Sequence, residues 1–177
     1  MTKSEVRKEV RLRIGGMDTQ DIAALSEAAC RKIVSEEAWL DAGTVLLYQA
    51  LPDEASTDFL IKNALGSGKK VVLPVVKGSD MTLKQLLPGT TVRGAFGIEE
   101  PGETVPEWTD LDAIGFAVIP GRAFTPEGLR LGRGRGYYDR FLGQLRCRKV
   151  GLALPCQVFE TLPTDPWDIP LDEVVYG

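Results

Sequence analysis

The sequence predicts an α/β fold: a mostly parallel central sheet with helices on both faces. Three observations predict it. Four short apolar runs, "TVLLYQAL", "KKVVLPVV", "AIGFAVIPG" and "RKVGLAL", have the length and content of strands buried on both sides. Segments of helical periodicity alternate with them, the pattern of crossover connections. The chain has 177 residues, 44% hydrophobic and 26% charged, which suits one soluble domain over residues 1–177 with a sizeable core.

Each element follows in order. Residues 2–13, "TKSEVRKEVRLR", are charged, with only Val6, Val10 and Leu12 as apolar points, and read as a short exposed helix ended at Gly15-Gly16. In "MDTQDIAALSEAACRKIVSEEAWL", Asp18 or Thr19 caps one long amphipathic helix whose apolar positions are Ile22, Leu25, Ala29, Ile33 and Leu40. Residues 44–51 form the first buried strand, bounded by Gly43 and Pro52. "STDFLIKNALGSG" is a helix with Ser56 as cap and Gly66 or Gly68 as stop. "KKVVLPVV" is the second strand. Residues 78–110 are less regular, with short strands near Met81–Leu83 and Thr91–Arg93. Residues 113–121 form the third buried strand, Tyr137 to Leu145 a helix, and "RKVGLAL" the fourth strand. A Pro-rich loop and one last strand, in "LPTDPWDIPLDEVVYG", end the chain.

Composition narrows the function. The net charge of −4 argues against binding nucleic acid by overall field. The three cysteines, Cys30, Cys147 and Cys156, fit no zinc or CxxC spacing and read as small buried hydrophobes in a reducing compartment. No signal-like segment or long apolar run is visible, so the chain is expected in the cytoplasm and off the membrane. There is no histidine. Chemistry must therefore use carboxylates, cations, backbone amides or a hard metal ion.

One stretch stands out: "RLGRGRGYYDRFL", Arg130 to Leu142. It lies about ten residues past the third strand and before a helix, where ligands sit in such sheets. Glycines let successive N–H groups turn toward one anion, and arginines add charge-assisted donors. The spacing is neither GxxxxGK[ST] nor GxGxxG. Asp139 is a hard oxygen ligand placed to hold Mg²⁺ near phosphates. The same residues would suit an arginine-glycine-aromatic RNA contact. A sugar-phosphate enzyme would also need such a cradle, but its acid-base residues are not evident.

"PGRAFTPEGLRLGRGRGYYDRFL" resembles the signature of the 5-formyltetrahydrofolate cyclo-ligase (5,10-methenyltetrahydrofolate synthetase) family. Further elements are similar in the right order: "KSEVR" at Lys3–Arg7, "LPDEASTDFL", "KKVVLPVV", "GAFGIEEP" at Gly94–Pro101, and "DIPLDEVVYG". The resemblance implies ATP- and Mg²⁺-dependent closure of 5-formyltetrahydrofolate to 5,10-methenyltetrahydrofolate, with small molecules as the only partners and a monomer as the working unit. It implies that Lys3, Arg7 and the loop Arg130, Leu131, Gly132, Arg133, Gly134, Arg135, Gly136, Tyr137 and Tyr138 bind ATP. Among these, Arg130, Arg133 and Arg135 carry catalysis. Glu54 and Tyr138 bind the folate, and Asp139 and Asp168 hold the metal.

Two positions depart from the family pattern. Thr125 stands where the family usually has Asp, and Arg122 where it usually has an apolar residue. Either marks a divergent member, and a paralogue acting on another substrate is the main alternative. Plain readings exist for each residue: Lys3 and Arg7 as a solvated face, Glu54 as a turn carboxylate, the tyrosines as packing, and Asp139 as a first-turn helix acid. Trp39, Trp108 and Trp167 are expected to pack, with Trp108 in the region where a pterin would stack.

Overall fold

In the computed structural model, residues 1–94 and 97–177 are described; Ala95 and Phe96, within the "GAFGIEEP" element, lie outside the described residues. Six strands form one sheet. Their order in space is β10 (Glu173–Tyr176), β9 (Arg148–Ala153), β6 (Phe116–Ile119), β1 (Thr44–Leu46), β2 (Lys70–Lys77) and β3 (Asp80–Gln85). All neighbours are parallel except β2 and β3, which form an antiparallel hairpin. In register, Val45 sits beside both Val71 and Phe116.

The runs are apolar because alternate residues enter two different cores. Val45, Val71, Val118 and Val150 face one cluster, and Leu46, Val72, Ile119 and Ala153 face the other. Four helices cover the first face: α1 (Lys3–Gly15), α2 (Thr19–Val34), α3 (Glu37–Asp41) and α4 (Asp58–Gly66). The second is covered more thinly. It has the one-turn helix α5 (Asp139–Leu142), loops, and Phe124 from the small hairpin of β7 (Ala123–Phe124) and β8 (Arg130–Leu131), whose Ala123 and Leu131 join the first cluster. A separate hairpin pairs β4 (Thr91–Arg93) with β5 (Glu99–Pro101).

Several elements differ from the sequence expectation. Helix α1 is not an exposed rod. Val6, Val10 and Ile14 recur every four residues and are buried, whereas Leu12 falls out of phase and is exposed. Thr2 and Glu5 close its N-terminus as a capping box. The long helix over residues 18–40 is two: α2 stops at Val34, and Glu36 is extended. The redirected α3 buries Trp39 edge-on against Phe116 at 5.6 Å, its indole N–H donating to Asn63 at 3.1 Å. Leu40 stays exposed. The first strand covers only Thr44–Leu46 of the expected eight residues. Helix α4 is capped at Thr57 rather than Ser56, although the Ser56 hydroxyl accepts the Asp58 N–H at 3.3 Å. The helix expected over 137–145 is the single turn of α5, preceded by the left-handed Gly136 and ended at Gly143, which keeps a helical φ of −68°.

Candidate active site

A cleft of about 570 Å³ opens beyond the carboxyl ends of β1 and β6, where ligands sit in open α/β sheets. Every site residue read from the sequence lines it, from Lys3 and Arg7 through Glu54 and the 130–139 loop to Asp168.

The loop is built from its base upward. The Arg122 N–H donates to the Leu131 carbonyl at 2.7 Å, locking the β7–β8 hairpin. At its tip the Thr125 N–H donates to Leu129 O at 3.0 Å, and the Thr125 hydroxyl accepts the Leu129 N–H at 3.2 Å. Thr125 is fully buried in this turn and is not among the residues lining the cleft. Its hydroxyl makes the kind of side-chain-to-backbone bond by which short polar residues close turns. Gly128 has φ +95°, and a Cβ there would lie 2.2 Å from the Leu171 carbonyl oxygen, so only glycine fits. Beyond β8 the chain turns through Gly134 (φ +101°) and Gly136 (φ +69°), conformations that bulkier residues rarely adopt.

The loop arginines have different surroundings. The Arg130 side chain is 8% exposed; its Nε donates to Pro120 O at 2.6 Å, Tyr138 stacks over it at 5.1 Å, and Asp139 Oδ1 lies 3.5 Å away. Burial pulls its pKa down, with Asp139 opposing. Arg133 turns toward Glu54 and Asp53, donating from Nε to Glu54 Oε1 at 2.9 Å and from Nη2 to Asp53 Oδ1 at 2.5 Å. Glu54 is 8% exposed and also accepts the Leu51 N–H at 2.9 Å. Arg135 is exposed to the cleft and has no ion pair among the described residues.

Helix α1 supplies two further cations. Arg7 Nε donates to Gly132 O at 2.9 Å, and its guanidinium carbon would lie 3.4 Å from a Cβ on Gly134. Lys3 Nζ bridges Asp165 at 2.6 Å and Asp168 at 3.1 Å. The Asp165 hydrogen bond holds the Lys3 pKa above its ordinary value, against the opposing effect of burial. Asp168 also accepts the Asp165 N–H at 2.7 Å, closing the 165–168 turn. The motif's other polar groups staple the cleft wall. Tyr137 Oη donates to Gly78 O at 2.9 Å, and Arg140 to Ser79 O at 3.1 Å. Tyr138 packs on Phe141 at 5.2 Å, and burial raises its phenol pKa.

Three features escaped the sequence reading. Asp53 and Asp165 are ion-pair partners at the site, and Trp167, expected to pack, is 72% exposed and lines the cleft. The paired carboxylates of "DPWD", three residues apart in a turn, were the available signal for Asp165. Trp108 packs instead on the second core cluster, its indole N–H donating to Asp110 O at 2.8 Å. No group of three carboxylate, thiol or imidazole ligands occurs among the described residues. Asp139, whose side chain is 48% exposed, and Asp168 both line the cleft.

Parallel sheet, cleft and glycine-arginine loop define an α/β enzyme with its site beyond the strand ends. The chain belongs to the 5-formyltetrahydrofolate cyclo-ligase family, whose model matches residues 1–177. It is 32% identical to the probable 5-formyltetrahydrofolate cyclo-ligase of Caenorhabditis elegans, over 98% of this chain and 92% of that one. It is 30% identical to the 5-formyltetrahydrofolate cyclo-ligase of Escherichia coli K12, over 94% and 95%. The NMR structure of Aquifex aeolicus 5,10-methenyltetrahydrofolate synthetase superposes with a TM-score of 0.85 at 37% identity, covering 99% of this chain and 89% of that one.

Proposed function

We propose that this chain converts 5-formyltetrahydrofolate to 5,10-methenyltetrahydrofolate with ATP and Mg²⁺, releasing ADP and phosphate. One observation carries the reading. A single cleft joins the anion-type loop, with its left-handed Gly134 and Gly136, to the buried Glu54, through Arg133 at 2.9 Å.

The chemistry asks for positioning and charge neutralisation rather than a strong base, which suits a histidine-free chain. In this reading the formyl oxygen of the folate attacks the γ-phosphorus, and the bond to the ADP oxygen breaks. The N10 lone pair then attacks the former formyl carbon, the carbon–oxygen bond breaks, and phosphate leaves. The N10 proton passes to phosphate or solvent.

The chain's residues divide the work. Backbone N–H groups over Gly132–Gly136 face the phosphates. Arg135, Arg7 and Lys3 neutralise their charge, Lys3 exchanging its two aspartates for phosphate oxygens. Arg130 acts from below by holding the loop through Pro120 O. Arg133 acts by holding Glu54, whose carboxylate accepts N–H groups of the pterin beside Tyr138. Bound Mg²⁺ would offset phosphate charge, and Asp139 and Asp168 would hold it.

A thermal-shift comparison tests the reading, since a ligand that binds only the folded state raises the melting temperature. ATP–Mg²⁺ and 5-formyltetrahydrofolate are each expected to raise it, and a single-stranded RNA oligonucleotide is not. A shift with RNA alone would move the assignment to a binding module. Against that module, Arg130 is buried and Arg133 is committed to carboxylates.

A further inference from the structure

Arg122 is a buried cation next to Gly121 of the cleft wall. Its side chain is 6% exposed, and removing a cation from water is costly unless it is paired. The pair is Asp53, with Arg122 Nη1 2.6 Å from Asp53 Oδ2. The other oxygen of the same carboxylate accepts Arg133 Nη2 at 2.5 Å. Arg133 in turn reaches Glu54. A continuous chain of charges therefore runs Arg122–Asp53–Arg133–Glu54. Its buried end is fixed rigidly: the Gly121 and Arg122 carbonyls accept Gln157 Nε2 at 2.9 and 3.1 Å, and the Arg122 N–H bonds Leu131 at the base of the glycine loop.

We infer that Asp53, clamped by Arg122, is a positioning residue that holds the Arg133 guanidinium against Glu54 and so fixes the Glu54 carboxylate for folate. This rests on the folate reading of the cleft. Each oxygen of Asp53 serves one guanidinium, so the carboxylate spans the two arginines and sets their separation. Without it, Arg133 keeps one bond to Glu54 about a long flexible stem, and the rotamer freedom it regains works against a single Glu54 geometry. Asp53 lies one residue before Glu54 on the 51–54 turn, so the clamp also fixes the backbone that carries Glu54.

Three variants test the clamp: Asp53→Asn, Arg122→Met, which keeps an unbranched apolar stem, and their double. Arg122→Lys restores the charge. Folate affinity and KM are measured beside ATP KM, together with the ¹⁵N resonance of the Arg133 Nε–H. The expected result is a rise of about tenfold in folate KM and dissociation constant for each single variant, with ATP KM within about twofold. The double variant should be no worse than the poorer single, because both remove one linked unit. Arg122→Lys should recover part of the loss, and the Arg133 Nε–H should lose its exchange protection in Asp53→Asn. A merely structural role would lower stability and leave the folate-to-ATP KM ratio and the Nε–H signal unmoved, which would overturn the inference. If Arg122→Met does not fold, Asp53→Asn decides alone. If the unmodified protein neither binds folate nor makes product, the folate reading fails, and the Arg133 signal still decides whether Asp53 holds Arg133.

Discussion

Gly134→Val perturbs the glycine-arginine loop where its backbone is left-handed and faces the cleft. Gly134 has φ +101°, and a non-glycine residue held in such a region costs about 1–3 kcal/mol. The new Cβ would meet only the flexible end of Arg7 at 3.4 Å, an ordinary contact, so the cost lies in the backbone. A chain of this size has roughly 5–15 kcal/mol of stability, so the fold should survive. The melting temperature should fall by roughly 2–12 °C, given about 2–4 °C per kcal/mol at this length. The strain is relieved most easily by rotating the adjacent peptides, which turns at least one N–H away from the phosphate. A hydrogen bond to a charged group contributes about 1.5–3 kcal/mol, so ATP affinity should drop roughly 10- to 100-fold. Calorimetric titration with ATP–Mg²⁺ measures this, with 5-formyltetrahydrofolate affinity followed in parallel. Gly66→Ala is the control: it sits at the end of α4 in open space with an ordinary φ, and should change neither. A folded Gly134→Val protein with unaltered ATP affinity would refute the cradle.

Asp139→Asn removes a cleft carboxylate 3.5 Å from the buried Arg130. Turnover should fall steeply and need more Mg²⁺, at a stability cost of about 1 kcal/mol for losing that half-exposed pair; an unshifted Mg²⁺ titration would take Asp139 out of the metal site. Burial pushes the Asp53 pKa up, but the Arg133 hydrogen bond and the charges of Arg133 and Arg122 outweigh it and hold the pKa below the usual aspartate value. A depressed pKa stabilises the fold above the unfolded value of about 3.9, and that contribution fades as pH falls below it. The melting-temperature gap between the unmodified protein and Asp53→Asn should therefore stay level from about pH 5 to 8 and narrow toward pH 3. Burial pushes the Cys30 thiol up to about 12. An alkylating reagent at about pH 8 should label Cys147 and Cys156 first and Cys30 only on unfolding; early labelling of Cys30, read by peptide mass, would contradict its burial.

The sheet was legible because a strand buried on two faces has no polar alternate, as in "FAVI" and "VVL". Where burial rests on fewer residues, the signal weakened. The α1 stripe is three residues among charges, so it read as solvated, and the α2–α3 break was hidden because the helical spacing continues through Ser35-Glu36. The glycine-arginine loop was legible because its parts are contiguous. Lys3, Arg7 and Asp168 join it from the two ends of the chain, and only the family resemblance connected them. Asp53 pairs with Arg122 across 69 residues, and no local pattern encodes such a contact. Exposure was equally invisible: Trp108 and Trp167 are both isolated tryptophans beside acidic residues, yet only Trp167 reaches the cleft.

The most direct test follows the absorbance of the methenyl product after mixing the protein with 5-formyltetrahydrofolate, ATP and Mg²⁺, with ADP measured in the same samples. Product is expected only when all three are present, with one ADP formed per methenyl folate. No product at high protein concentration, while the Escherichia coli relative works in parallel, would contradict the assignment. Product without ATP or without ADP release would contradict the phosphoryl-transfer account of the loop.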